Sequence, residues 1–183
     1  VRALYRWITA QPVDMMLAPR NKPSTNKPIY HIWAIKNSEG NYSQWFSKLC
    51  RAAKIPCVII HGRLKGSSYQ VGQSVFEDEH YGEWNAVLID GVWRFVDAYW
   101  GAFKSQNRLE SRSSSHKTLT YTCDENYFLT DPSEMIYSHY PEVPEWQLLQ
   151  YPWTINKFES CANTKDRFFE LGMSLDSHKK CVI

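Results

Sequence analysis

The stretch from residue 84 to residue 96 leaves the chain little freedom. Trp84–Ile89 and Val92–Val96 are two apolar runs joined at Asp90-Gly91. An Asp-Gly pair between such runs favours a two-residue turn whose backbone twist matches that of the flanking strands, so this stretch predicts a β-hairpin. A hairpin alone is marginal in water, so other elements must cover its apolar face.

Upstream, Tyr42, Trp45, Phe46, Leu49, Cys50 and Ala53 fall on one face at helical spacing. Asn41 with Gln44 has the form of a capping box at that helix's start. Ile55–Ile60 is short, β-branched and continuous, which predicts a central strand, and residues 69–76 alternate weakly as a second one. At the beginning, Val1, Leu4, Tyr5 and Ile8 predict a helix stopped by Pro12. Residues 18–28 hold three prolines among polar residues and read as a loop. Residues 104–117 are polar and Ser-rich, which predicts a surface loop. Residues 124–153 carry four prolines and many aromatics, which predicts short packed segments rather than a long helix.

At 183 residues, and with about 150 per domain, the chain holds one main domain. Its boundaries are read as 1–167, with 168–183 an extension or linker towards a further domain. The opening inside a helical pattern, without an initiator Met, reads as a fragment or a processed chain. No apolar run approaches the roughly 20 residues that span a bilayer. Lys+Arg number 21 and Asp+Glu 19, too even a balance to predict nucleic-acid or membrane binding. The five cysteines are odd in number, none in C-x-x-C spacing, and the six histidines are scattered. Neither a disulfide framework, nor a metal site, nor a cofactor is expected, and a reduced intracellular compartment fits best. Aromatic residues make up 15% of the chain, so rings supply much of the buried area.

The order helix, short strand, Trp-rich hairpin and Val-Asp resembles the transglutaminase-like domain, a branch of the papain-like cysteine enzymes. Trp84, Asn85, Asp90, Gly91, Trp93, Val96, Asp97, Trp100 and Gly101 fit that family's pattern around its catalytic His and Asp. Tyr42, Ser43, Phe46, Leu49, Cys50, Lys65 and Gly66 fit its nucleophile helix and following strand. Tyr127–Pro132, His139 with Pro141, and Trp146–Leu149 resemble a narrower group, the kyphoscoliosis peptidase and hillarin proteins of the cytoskeleton. The resemblance implies an α+β fold of the papain-like kind, with helices packed on a twisted antiparallel sheet.

In that family a Cys at a helix N-terminus attacks an amide carbonyl, a His on a neighbouring strand takes the proton, and an Asp orients the imidazole. Aligned on Tyr42 and Leu49-Cys50, the nucleophile position falls on Glu39. Aligned on Trp84-Asn85, the His position falls on Gly82. The orienting acid is present as Asp97. Glutamate cannot replace a thiolate in this acyl transfer, and glycine offers no base. Substitutes are distant. Cys50 stands about 16 Å down an ideal helix from position 39, Cys57 and His61 are about 13 Å apart on a strand, and His80 sits about 7 Å from position 82.

The resemblance therefore implies a catalytically inactive domain that binds or scaffolds proteins, including cytoskeletal partners, inside the cell and associated with the cytoskeleton. Asp97 is expected to hold a structural hydrogen bond. Trp33, Trp84 and Trp100 are candidates for lining the former cleft. The competing expectation is an active cysteine peptidase or acyltransferase with a relocated nucleophile.

Overall fold

The computed structural model describes residues 1–105, 119–121, 123–164, 166–177 and 180–181. Most of the predicted 104–117 loop lies outside the described residues. The chain divides into two compact units: Val1–Cys57 with Asp97–Phe128, and Val58–Val96 with Leu129–Ile183. The fold is α+β, with helices and a five-stranded antiparallel sheet.

The first unit is mainly helical. Helix α1 (Arg2–Thr9) buries Tyr5 and Ile8, as their spacing predicts. Helix α2 (Ile29–Lys36) has no counterpart in the sequence reading. Its sequence, IYHIWAIK, is apolar nearly all round, so it offers no stripe to read. Helix α3 (Tyr42–Ala52) buries Tyr42, Trp45, Phe46 and Cys50 along the predicted face. Asn41 caps it, its side-chain oxygen accepting from Gln44 N–H at 2.9 Å. Helix α1 packs against α3 and against the short α4 (Ala98–Ala102). Tyr5 Oη donates to the Asp124 carbonyl in this packed region. Strands β4 (Phe103–Ser105) and β5 (Leu119–Tyr121) pair with each other.

The sheet belongs to the second unit. Its strands are β1 (Cys57–Leu64), β2 (Tyr81–Ile89), β3 (Val92–Val96), β6 (Phe128–Thr130) and β7 (His139–Pro141), in the order β6-β3-β2-β1-β7. The predicted hairpin is β2–β3. Ile89 pairs with Val92, and the two turn residues, Asp90 and Gly91, have φ of 50° and 78°. Strand β1 runs from residue 57 to 64 rather than 55 to 60. The shift has a local cause: Ile55 N–H bonds back to the Cys50 carbonyl at the end of α3, and Pro56 has no N–H to give.

The strand expected at 69–76 is not one. Tyr69 N–H bonds to Gly66 O and Gln73 N–H to Gln70 O, which closes turns. Its weak alternation reflects two anchors, Tyr69 and Val75, that pack with Phe158 in a small satellite core. The main core of the unit joins Ile60, Trp84, Ala86, Phe95 and Met135. Helices α5 (Pro132–Met135), α6 (Ile155–Ser160) and α7 (Asp166–Glu170) punctuate the rest, with short segments between them as the prolines predict. Part of the predicted 168–183 extension is thus the end of α7, and Phe169 packs on Tyr137 with ring centroids 5.5 Å apart.

Candidate functional site

The positions that the resemblance marks as the triad fall in different units: Glu39 and Asp97 in the first, Gly82 in the second. Each has a local structural explanation.

Glu39 lies outside the helix that would carry a nucleophile. Helix α2 ends in a left-handed Ser38 with φ of 57°. Ser38 N–H then bonds to Ile35 O and Glu39 N–H to Ala34 O, the paired bonds of a Schellman ending. Position 39 therefore closes α2, two residues before the Asn41 cap of α3. The Glu39 side chain is 44% exposed and forms an ion pair with Lys22. Lys22 Nζ also stands 5.3 Å from the centre of the Trp33 ring.

Gly82 is the second residue of β2. A Cβ at this position would lie 2.1 Å from Leu64 Cδ1 and 2.8 Å from Leu64 Cγ. Leu64, at the end of β1, thus fills the volume that any side chain at 82 would enter. The flanking Tyr81 and Glu83 point to the opposite face of the strand. There they meet His61: Tyr81 Oη is 2.8 Å from His61 Nδ1, and Glu83 Oε1 is 3.4 Å from it. That imidazole is consequently on the wrong face to replace a base at 82. His80 is not on the strand at all. It closes a 3₁₀ turn, Asp78–His80, and packs edge-on against Tyr69 at 5.7 Å.

Asp97 is buried, and its Oδ1 accepts from Tyr99 N–H at 2.8 Å and from Trp100 N–H at 2.9 Å. These are N-terminal amides of α4, so Asp97 acts as a helix cap. Its own N–H donates to Tyr127 O at 3.0 Å.

The three tryptophans are also divided between the units. Trp84 is fully buried in the second unit's core, edge-on to His139 at 5.0 Å, and offers no accessible surface. Trp33 is buried and stacks with Tyr30 at 6.3 Å. Trp100 is half-buried and edge-on to Tyr127 at 5.5 Å. Asn85, beside Trp84, donates from Nδ2 to Val58 O at 3.2 Å.

Two of the five cysteines, Cys50 and Cys161, are in poor settings for nucleophilic chemistry. A hydrogen bond with Cys57 and burial push the Cys50 thiol up, away from its reactive thiolate form. Cys57 is half-buried on β1. Burial also pushes the Cys161 thiol up, although the nearby Lys65 ammonium opposes this. Lys65 itself is a buried cation that sequence reasoning noted only as part of a motif. Its Nζ donates to Phe158 O and lies 3.5 Å from Cys161 O and 3.3 Å from Cys161 Sγ. It also stands over the Tyr69 and Phe158 rings, 5.0 and 4.6 Å from their centres. Lys65 thus holds the C-terminal carbonyls of α6, where a cation suits the helix dipole.

One cluster was missed in the sequence. Glu77, Glu79 and His80 bring donor atoms within 4.8 Å of one another. The local run Glu-Asp-Glu-His was its only signal, and it contains neither a His pair nor a Cys pair.

Comparison with known proteins agrees with the framework just described. No family model matches the chain. Hillarin of Drosophila melanogaster is 35% identical over 94% of it. A LIM and transglutaminase domain protein of Caenorhabditis elegans is 34% identical over 97%, and the kyphoscoliosis peptidase of Mus musculus 35% over 97%. The chain is a homologue of the hillarin and kyphoscoliosis peptidase group. It spans 21 to 26% of the length of these relatives. The transglutaminase domain in the name of the Caenorhabditis elegans relative is consistent with a papain-like core. Among the described residues no helix is long and apolar enough to cross a membrane.

Proposed function

We propose that this chain is a catalytically inactive transglutaminase-like domain that acts as a protein-binding or scaffolding module. The observation that carries the reading is Gly82. The position that the resemblance assigns to the base has no side chain, and Leu64 occupies the space one would need. The other two positions support it. Glu39 is an exposed partner of Lys22 at the end of α2, and the Asp97 carboxylate caps α4. The cytoskeletal character of the partners and an intracellular location are carried over from the resemblance alone.

The relocated-nucleophile alternative gains no support from Cys50 or Cys161. Cys50 is pushed away from ionisation by its bond with Cys57 and by burial, and Cys161 by burial.

The test is thiol reactivity. The folded chain is treated with iodoacetamide near neutral pH, intact mass is followed with time, and the labelled peptide is mapped. The exposed Cys181 should react no faster than a free cysteine, and the buried Cys50 and Cys161 more slowly. One thiol reacting much faster than that control would indicate an activated thiolate and overturn the inactive reading. Co-sedimentation with filamentous actin and with microtubules tests the partner class. Pelleting with either supports it, and failure with both removes the cytoskeletal part of the proposal.

A further inference from the structure

We propose that Glu77, Glu79 and His80 form a binding site for a divalent transition-metal ion of the zinc class. The site lies on the 3₁₀ turn that leads into β2, and it does not depend on the reading of the triad positions.

The first observation is convergence. One carboxylate oxygen from each glutamate and one imidazole nitrogen lie within 4.8 Å of one another. Metal–ligand bonds of about 2.0–2.1 Å in tetrahedral geometry put donor atoms about 3.4 Å apart. His80 Nε2 and Glu79 Oε1 are already separated by 3.5 Å. The remaining gap closes by rotation of two exposed glutamate side chains.

The second observation is independent of the acids. His80 is 1% exposed, yet its Nε2 makes no hydrogen bond. A buried polar nitrogen without a hydrogen bond is costly, and native structures rarely leave one. This nitrogen faces the Glu79 carboxylate. A neutral imidazole offers a lone pair there, the usual donor to zinc. Packing against Tyr69 fixes the ring, so the donor is pre-positioned.

The charge balance points the same way. Among the described residues no Lys or Arg pairs with Glu77 or Glu79. Both carboxylates are bridged instead by a neutral group, Gln73 Nε2, at 3.3 Å from each. Two carboxylates held together by an amide, with no Lys or Arg between them, form a site that a divalent ion would neutralise. One nitrogen and two carboxylate oxygens suit zinc, cobalt or manganese better than a thiolate-seeking ion. Water would complete the coordination on the exposed side.

Titration of the chain with zinc, followed by calorimetry, tests the site, with cobalt as a spectroscopic stand-in. One ion is expected per chain, and the cobalt complex should show no sulfur-to-metal charge-transfer band. Glu79→Gln and Glu77→Gln change exposed side chains and should fold normally. Each should weaken binding by more than about tenfold, the loss seen even for outer-shell partners. Zinc should also shift the His80 imidazole resonances. No binding below millimolar zinc overturns the proposal. So does binding that both Gln variants leave unchanged, or a thiolate band that moves the ion to the cysteines.

Discussion

Position 82 allows the strongest quantitative test of how the two strands meet. A methyl group added by Gly82→Ala would sit 2.1 Å from Leu64 Cδ1. Carbon atoms rest at about 3.5–4.0 Å, so Leu64 must leave its rotamer by more than an ångström. Overpacking of this kind costs about 1–3 kcal/mol. Replacing glycine in a strand returns roughly 0.5–1 kcal/mol of backbone entropy. The net expected loss is therefore about 1–2 kcal/mol. Leu64→Ala alone removes a half-buried side chain and should cost about 2 kcal/mol, the low end for leucine truncation. In that background the clashing atoms are gone, and Gly82→Ala should become neutral or slightly stabilising. The double-mutant cycle thus predicts a coupling of about 2 kcal/mol that favours the pair over the sum of the singles. Urea unfolding followed by both tryptophan fluorescence and circular dichroism measures it and checks that the transitions coincide. Additivity within about 0.5 kcal/mol would refute the claim that Leu64 fills the space at 82.

Three further outcomes follow from single side chains. Asp97→Ala leaves two helix N–H groups without their acceptor and should cost about 1–2 kcal/mol in urea unfolding, whereas Asp97→Asn keeps an acceptor and should cost less. Lys65→Met removes the donor to the α6 carbonyls and should cost about 1–3 kcal/mol, with faster proteolysis near α6 as a second readout. Cys50 has its folded-state value raised above the ordinary 9.0, so its stabilising contribution is present below that pH and lost as pH rises through and above it. Cys50→Ala should therefore flatten the alkaline fall in stability, measured by urea midpoints between neutral and alkaline pH, and an unchanged slope would contradict the assignment.

The legible parts of this fold were those where one face meets water. Helices α1 and α3 show a stripe because their other faces are polar, and the hairpin shows itself through Asp90-Gly91. Helix α2 hid because its sequence is apolar around nearly its whole circumference. The start of β1 was misplaced because β propensity says nothing of where Ile55 N–H is spent. Tyr69 and Val75 mimicked a strand because two anchors in consecutive turns fall at an even spacing. The site followed the same rule. The residue types at 39 and 82 are readable in the sequence, but Leu64 filling the space at 82 is not, since it lies 18 positions away by number (82 − 64) and touches only through the sheet. The Glu77, Glu79 and His80 cluster was hidden because burial of one imidazole nitrogen is a tertiary property.

The residues that carry the resemblance have structural duties that need no chemistry. Trp84 fills the core of the sheet unit, and Asn85 ties β2 to the β1 backbone at Val58. Lys65 clasps α6, and Asp97 caps α4 with the carboxylate to which the resemblance assigns the orienting of an imidazole. Asp97 is the telling case. An acid that bonds two backbone amides stabilises the helix whether or not a histidine stands nearby, so its presence does not argue for activity. The positions that the resemblance assigns to a nucleophile and a base, 39 and 82, have other local roles. There the chain carries an exposed glutamate paired to a lysine and a glycine overlapped by leucine. On the proposed reading, a framework held by packing and capping persists around positions that lack their reacting groups, and the thiol experiment, rather than further matching of motifs, tests that reading.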